Sequence, residues 1–247
     1  MLLRAEAGAI TLRGTDLEVD AMVRVDGAAV GVAGALAVPA DKFAAALAQW
    51  PDGLLTVESD GRRLTAKIGR SRATMPVLPE VDFPDIRRGE TLTEFVIPGS
   101  DLTAMSEKCG FAIGTEETRA YLTGIYLHAT DRSLVAVATD GHRLSRFDMP
   151  LPEGAEAMEG VIIPRSTVKL WQHLLGKEES DPVTIETGEG FIRFSSELMT
   201  LHSKVVGGTY PDYLRVIPRG NNQVALISLA DFGAAVDRLL VFSEGEG

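Results

Sequence analysis

Three residues within six positions have the side chains that a hydrolytic site would need. Asp140, His142 and Ser145 follow an apolar run over residues 134–137 and surround an Asp-Gly bend. A neutral histidine is the usual base that activates a catalytic serine. Three neighbours on one bend rarely reach triad geometry, however, and no Gly-x-Ser-x-Gly elbow surrounds Ser145. Hydrolysis is therefore the least favoured interpretation of this stretch.

Two other interpretations of residues 138–144 stay open on the residues alone. In one, Asp140-Gly141 is only a turn and the side chains beyond it are solvated. In the other, an apolar floor and a polar rim bind an extended peptide, because such a rim fixes the peptide's orientation. The floor would consist of Leu122, Leu144, Pro211 and Val216, and the rim of Thr139, Gly141, His142, Arg143 and Arg215.

Composition limits the class of protein. The chain has 247 residues, of which 45% are hydrophobic, enough for a globular core in one or two domains. A net charge of −11 argues against a surface that coats nucleic acid generally, although a local basic face is compatible with it. Because the chain has one cysteine and no metal-type Cys/His spacing, we expect no internal disulfide, no metal site and no cofactor. The lack of a signal-like or membrane-length apolar run predicts a cytoplasmic protein without membrane contact.

The elements that position these residues are repeated along the chain. Landmark pairs such as Thr15 and Thr139 recur 124 to 130 positions apart, which is the length of one domain. Alternating apolar and polar residues at 53–68 and 182–194 predict a hairpin in each repeat. Four strand ends also lead into amphipathic helices, and a proline at a helix start sacrifices no hydrogen bond. These four starts are Pro39, Pro98, Pro164 and Ser228.

Each half-repeat is one helix followed by several antiparallel strands, which predicts the α+β class with helices on one face of curved sheets. We expect a partial N-terminal domain at 1–88, a complete middle domain at 89–220 and the start of a truncated C-terminal domain at 221–247. By analogy with the middle domain, the first lacks a helix and the third lacks about a hundred residues. A partial first domain would leave open sheet edges.

Six motifs stand out in the two repeats, namely residues 139–144, 163–165 and 210–216 in the second and 14–18, 69–72 and 82–85 in the first. Together these motifs resemble the bacterial DNA polymerase III sliding clamp, the beta subunit family. The resemblance implies a clamp fold whose domains close head to tail into a homodimeric ring around duplex DNA. It implies a non-catalytic processivity factor for DNA replication. Any DNA-directed DNA polymerase, nucleotidyltransferase or 3'-5' exonuclease activity would then belong to the holoenzyme.

The same resemblance gives the pocket interpretation a partner. The nine floor and rim residues match the family's peptide-binding pocket, which accepts a short motif containing Gln and Leu or Phe. Replicative polymerase subunits, the clamp loader and repair proteins carry such peptides. Because the far wall of that pocket comes from the third domain, we expect a half-built pocket. The alternative function is a truncated fragment or adaptor that binds clamp-seeking peptides without encircling DNA.

A basic helix face is the candidate contact with DNA. On the helix after Pro164, four cationic positions fall within an arc of about 120°, opposite Val168 and Trp171. A solvated charged face is the alternative, whereas contact with phosphates would need no base-reading residue. The candidates are Arg165, Lys169, His173 and Lys177 on this helix, Lys42 on the helix after Pro39, and Arg119, which matches a family stretch near the DNA channel.

The large aromatic residues and the cysteine have simpler expected roles. Trp50 and Trp171 lie on or beside apolar helix faces, which predicts core packing. Cys109 has helical neighbours and is expected to be a small buried hydrophobe.

Overall fold

The computed structural model describes residues 1–84, 86, 89–174 and 181–242, and it has the predicted α+β class. The first repeat contains β1 (Leu2–Glu6), β2 (Ala9–Thr15), β3 (Val19–Asp26), β4 (Gly34–Ala37), β5 (Thr56–Ser59), β6 (Arg63–Ile68), β7 (Ser71–Pro76) and β8 (Leu78–Pro79). The second repeat contains β9 (Thr91–Pro98), β10 (Gly124–Ala129), β11 (Ser133–Thr139), β12 (Leu144–Pro150), β13 (Val161–Pro164), β14 (Pro182–Gly188), β15 (Phe191–Ser195) and β16 (Met199–Lys204). The α-helices are α1 (Ala40–Ala48), α2 (Gly99–Cys109), α3 (Arg165–Leu174) and α4 (Leu229–Leu240). Short 3-10 helices lie at Glu80–Asp82, Gly110–Ala112, Glu117–Leu122 and Tyr213–Arg215.

All four predicted helix starts are confirmed. Each α-helix begins at the residue after its landmark, namely Pro39, Pro98, Pro164 or Ser228. Proline fits a first turn because its fixed φ suits the helix and the missing N–H would have had no intrahelical partner. At the fourth start the Ser228 side chain accepts a hydrogen bond from the backbone of Asp231, at 3.3 Å, so serine caps the helix instead.

The predicted hairpins form, with one difference in length. β5 pairs with β6 across the Asp60-Gly61 turn, and β14 pairs with β15. β5 begins at Thr56 rather than at residue 53, and Leu54 before it is 87% exposed. Leu54 and Leu55 fit the alternating pattern, but among the described residues no strand pairs with them.

The two repeats have the same strand order and share one sheet. The first repeat arranges its strands as β4-β1-β2-β3 and the second as β13-β10-β11-β12. β2 and β11 lie 124 positions apart at both ends, Ala9 to Ser133 and Thr15 to Thr139. β3 pairs antiparallel with β16, which joins the repeats into a nine-stranded sheet of order β8-β4-β1-β2-β3-β16-β15-β14-β9. The other strands form two separate sheets, a four-stranded one of order β12-β11-β10-β13 and a three-stranded one of order β5-β6-β7.

Each repeat has its own core, and the two cores differ in size. The larger lies beneath α2 and α3 and contains Trp171 and Cys109, which confirms their predicted burial. The smaller, in the first repeat, is built around Phe43 and Leu64, and half-buried Trp50 packs against it as predicted. Burial raises the pKa of the Cys109 thiol to about 11, as expected for a thiol shielded from water.

The chain forms two compact units, Met1–Tyr210 and the part from Pro211 onward. The first unit contains both repeats, and the second contains α4, none of whose residues is buried. The predicted domain limits at 88/89 and 220/221 stay predictions. Among the helices of the described residues, none has the length and apolar character needed to cross a membrane.

Candidate docking site and basic helix

The turn after β11 is held by its own side chains. The Thr139 hydroxyl donates to the carbonyl of Arg143 at 2.7 Å and accepts from the backbone N–H of Gly141 at 3.1 Å. Asp140 Oδ1 accepts from the backbone N–H groups of His142 and Arg143, each at 2.9 Å. Gly141 has a φ of 93°, which glycine adopts without steric cost. This network fixes where the His142 and Arg143 side chains leave the backbone.

The electrostatics of the turn follow from these bonds. The backbone N–H of Arg143, then that of His142, stabilise the Asp140 carboxylate and lower its pKa to about 2. Because this folded pKa is below the ordinary value, the stabilisation is complete above about pH 4 and is lost as the pH falls through about 2. The turn therefore keeps its ionised carboxylate throughout the neutral range.

The same turn occurs twice in the first repeat. At residues 15–19 and 59–63 a hydroxyl and an aspartate make the same set of bonds, with Asp16 and Asp60 each accepting two backbone N–H groups. The hydroxyl-aspartate pair therefore forms the turn at the end of a strand in all three places. The three turns differ in the pair of side chains that follows, which is Glu18-Val19, Arg62-Arg63 and, in the second repeat, His142-Arg143.

A cleft of about 140 Å³ lies beside this turn. Leu122 is buried at its base, whereas His142 is exposed at its edge. The cleft brings together two of the predicted pocket residues with a segment that the sequence did not single out. Its lining is Gly114, Thr115, Glu116, Arg119, Leu122, Asp140 and His142.

Two residues of the cleft lining, Arg119 and Glu116, form an ion pair. Arg119 donates to Glu116 through Nη2 at 2.7 Å and Nε at 2.9 Å, and this contact lowers the pKa of Glu116. A Cβ on Gly141 would lie 2.9 Å from Arg119 Nη1, so the guanidinium rests against the turn because residue 141 is glycine. Arg119 thus lies at the cleft, and its predicted contact with DNA stays a prediction.

Arg143 is held from two sides. Its Nε donates to Asp140 Oδ2 at 2.9 Å, and its guanidinium lies 5.7 Å from the ring centre of Phe111, which is 57% exposed. Sequence reasoning missed Phe111, since only the tertiary contact with Arg143 distinguishes it from another surface aromatic. Leu144, the first residue of β12, is half-buried beside the turn.

The three side chains that suggested hydrolysis do not form a triad. The Ser145 hydroxyl donates to the backbone carbonyl of Lys108, so its proton is not directed at His142. Asp140 is bonded to the turn backbone and to Arg143. The arrangement therefore lacks the serine-to-histidine and histidine-to-aspartate hydrogen bonds that activate a nucleophile.

Three predicted pocket residues belong to the second compact unit. There, Asp212 caps a 3-10 turn through Leu214 N at 3.2 Å and pairs with Arg215 Nε at 2.9 Å. Pro211 is exposed, and so is Val216, with 67% of its surface accessible. Their contribution to the pocket stays a prediction.

Helix α3 separates its apolar and cationic residues as the sequence predicted. Val168 and Trp171 are buried, whereas Arg165, Lys169 and His173 are exposed. A buried hydrogen bond between the hydroxyls of Thr167 and Ser203, 2.6 Å long, fastens the helix to β16. Lys42 is exposed on α1, and Lys177 lies outside the described residues. That these cations contact DNA stays a prediction.

Comparisons with known proteins place these features in a family. Residues 1–87 match the family model of the DNA polymerase III beta subunit, N-terminal domain, and residues 96–212 match that of its central domain. The beta sliding clamp of Caulobacter vibrioides is 36% identical over 250 residues, covering 98% of this chain and 67% of its own length. The beta sliding clamp of Pseudomonas putida is 34% identical over 244 residues, covering 98% of this chain and 66% of its own length.

Solved structures show the same relationship. A DnaN sliding clamp from Bartonella birtlesii, crystallised with griselimycin bound, superposes with a TM-score of 0.92 at 39% identity, covering 100% of this chain and 67% of that one. A Caulobacter crescentus beta sliding clamp gives a TM-score of 0.91 at 36% identity, covering 99% of this chain and 66% of that one. The chain thus spans about two thirds of the length of its relatives. Two family domains in order, over a shared clamp fold, identify the chain as a member of the DNA polymerase III beta subunit family, the beta sliding clamps.

Proposed function

We propose that this chain acts as a DNA sliding clamp, a processivity factor that surrounds duplex DNA and tethers polymerases and repair proteins to it. The observation that carries this proposal is the ordered match of both family domains over residues 1–87 and 96–212. The role is a non-catalytic one in the cytoplasm, and the clamp loader and polymerase subunits are its partners.

The cleft beside the β11 turn is the proposed docking site for partner peptides. Its buried Leu122 offers an apolar contact, and His142 at its edge, with Thr139 and Arg143 in the adjoining turn, offers polar groups held in place by the hydrogen bonds of the turn. An extended peptide needs both, because apolar side chains supply affinity and the polar edge fixes direction. The peptide class is the family's short motif with Gln and Leu or Phe.

A peptide titration tests this site. A fluorescent peptide containing Gln and a Leu-Phe pair is titrated against the native chain and the Leu144→Asp variant. Leu144 belongs to the predicted apolar floor and lies half-buried beside the turn, so a charge there should weaken binding by at least about tenfold. Leu17→Asp is the matched control, because Leu17 lies in the equivalent turn of the first repeat and is 55% exposed. Equal affinities of native chain and Leu144→Asp, with both variants folded by circular dichroism, would refute the docking site.

Retention on DNA tests the encircling role separately. A clamp that surrounds duplex DNA stays on a nicked circle during gel filtration and slides off after the circle is cut once. The adaptor alternative predicts peptide binding with no difference between circular and linear DNA. Retention on both forms, or on neither, would count against encirclement while leaving the peptide result unaffected.

A further inference from the structure

Arg143 adjoins the candidate docking cleft without being part of its lining. Its neighbour His142 lines the cleft, whereas the side chain of Arg143 lies outside it and has 60% of its surface accessible. Both residues leave the same turn, because Asp140 Oδ1 accepts both of their backbone N–H groups. A ligand that fills the cleft and continues past His142 therefore reaches Arg143 next.

Asp140 and Phe111 fix the orientation of the Arg143 guanidinium. Arg143 Nε donates to Asp140 Oδ2 at 2.9 Å, and the ring centre of Phe111 lies 5.7 Å from the guanidinium carbon. Phe111 belongs to a 3-10 turn whose next residue, Ala112, is fully buried, so an anchored backbone presents the exposed ring. A guanidinium held at one edge and one face loses less conformational freedom when it binds a ligand.

The other edge of this guanidinium is open. Arg143 Nη1 and Nη2 donate no hydrogen bond to any residue that the structure describes, and the ion pair of this side chain is made through Nε. Arg119 in the cleft differs, because Glu116 accepts from both its Nε and its Nη2. Of these two arginines, Arg143 is therefore the one that has a pair of donors available for a ligand.

A carboxylate is the group that fits this open edge. Two parallel N–H groups of a guanidinium match the two oxygens of a carboxylate and bind them together. The charge of Asp140 is already compensated, since its Oδ1 accepts two backbone N–H groups and its Oδ2 accepts from Arg143 Nε. The ring of Phe111, which is 57% exposed, offers an apolar surface to the methylene groups of a glutamate.

We propose that Arg143 and Phe111 form a carboxylate receptor beside the cleft, which selects partner peptides that carry an acidic residue next to their Gln and Leu or Phe motif. The inference rests on the proposed docking function, because it adds one contact to that site. Continuity with the cleft through His142 favours a peptide as the ligand. A DNA phosphate has oxygens that fit the same pair of donors, and the experiment separates the two ligands.

Pairs of fluorescent peptides test this preference. Each pair has the same Gln and Leu-Phe motif and differs only in carrying Glu or Gln at one flanking position, on one side of the motif or the other. At one flank, the native chain should bind the Glu peptide at least about threefold more tightly, since a preorganised bidentate pair exceeds an ordinary surface ion pair. This ratio of affinities should fall as salt is added, because exposed ion pairs are screened.

Variants assign the preference to the two residues of the receptor. Arg143→Gln should remove the difference between the Glu and Gln peptides, and Arg143→Lys should restore only part of it, because lysine lacks the planar pair of donors. Phe111→Leu keeps an apolar side chain but removes the ring, and it should also reduce the ratio. Arg132→Gln is the matched control, because Arg132 is exposed and precedes the opposite end of β11. That end lies roughly 20 Å from the turn, about twice the Debye length, so the control should leave the ratio unchanged.

The results that would overturn the receptor are distinct from those that would refute the docking site. Equal affinities of the native chain for Glu and Gln peptides at both flanks would overturn the receptor and leave the docking site intact. An equal loss of preference in Arg132→Gln and Arg143→Gln would show a general effect of charge, and would also overturn it. If Arg143→Gln weakens binding of duplex DNA and leaves the peptide ratio unchanged, Arg143 contacts phosphate instead. A native chain that binds none of the peptides would refute the docking site and the receptor together.

Discussion

At the scale of single residues, the three hydroxyl-aspartate turns differ in one informative position. The third residue of each turn has a left-handed backbone, with φ of 77° at Leu17, 84° at Gly61 and 93° at Gly141. Glycine adopts this region freely, whereas a side chain with a Cβ is strained there by about 1–2 kcal/mol. Leu17 is also 55% exposed, so little apolar burial offsets its strain.

Replacing Leu17 with glycine should therefore stabilise the chain. The expected gain in the free energy of unfolding is about 0.5–1 kcal/mol, because the strain removed exceeds the extra backbone entropy that glycine loses. Urea unfolding of native chain and Leu17→Gly measures the difference. Gly61→Ala in the equivalent turn should change stability in the opposite direction. A Leu17→Gly variant that is less stable than the native chain would contradict the strain argument.

The sequence predicted part of the site at this scale. The Thr139-Asp140 pair was predictable, because its bonds are local and recur with the repeat at Thr15-Asp16. The contact of Arg119 with Glu116 was not predictable, although the two residues are only three positions apart in the sequence. No periodic pattern marks such a contact, and the Arg119–Gly141 approach spans 22 positions of sequence.

At the scale of elements, helix α3 combines buried anchoring with an exposed cationic face. Trp171 packs edge-on against Phe194 with ring centres 5.1 Å apart, which fixes the rotation of the helix. Arg165 and Lys169, one turn apart, then project from the opposite side. We predict that this face contacts DNA phosphates without reading bases.

Charge reversal on this face should weaken DNA binding in a salt-dependent way. The double variant Arg165→Glu/Lys169→Glu should reduce affinity for duplex DNA and lower the slope of log K against log salt by about 2, since two phosphate contacts are lost. Fluorescence anisotropy over a salt series measures both quantities. Lys204→Glu is the matched control, because its strand neighbour Ser203 faces α3 and alternate strand residues face opposite sides. Equal losses from the double variant and Lys204→Glu would contradict a specific role for α3.

Elements differed in how far the sequence could predict them. Helix starts were predictable because proline or serine marks each first turn, and hairpins because Asp60-Gly61 and its counterpart mark the bend. The pairing of β3 with β16 was not predictable, because the paired residues lie about 180 positions apart and no turn signal joins the two strands. That long-range pairing joins the two repeats through the nine-stranded sheet.

At the scale of the whole molecule, charged pairs flank the junction between the repeats. Arg13 donates to Asp20 at 2.8 Å on the β2–β3 side, and Arg193 pairs with Glu186 on the β15–β14 side. His202 of β16 lies between them, opposite Asp20 in one register and Arg193 in the other. Partly buried pairs of this kind are costly to break singly, and each one holds together the strands of its own repeat beside the junction. The junction itself is formed by the antiparallel pairing of β3 with β16.

We therefore expect both repeats to unfold together, even though their cores are unequal. The core of the first repeat is small, with Val38, Phe43, Leu64, Ala66, Met75 and Val77 as its buried side chains, and its sheet depends on pairing with β16.

The chain has two tryptophans, Trp50 beside the small core and Trp171 within the large one. The variants Trp171→Phe and Trp50→Phe leave one reporter each, and each is unfolded in urea by fluorescence and by circular dichroism. Within either variant the two midpoints should coincide, because a continuous sheet transmits the loss of one repeat to the other. Comparing probes within a variant removes the stability change caused by the substitution itself. A Trp50 transition that precedes the circular dichroism transition would show that the first repeat unfolds alone, and that the β3–β16 junction does not couple the repeats.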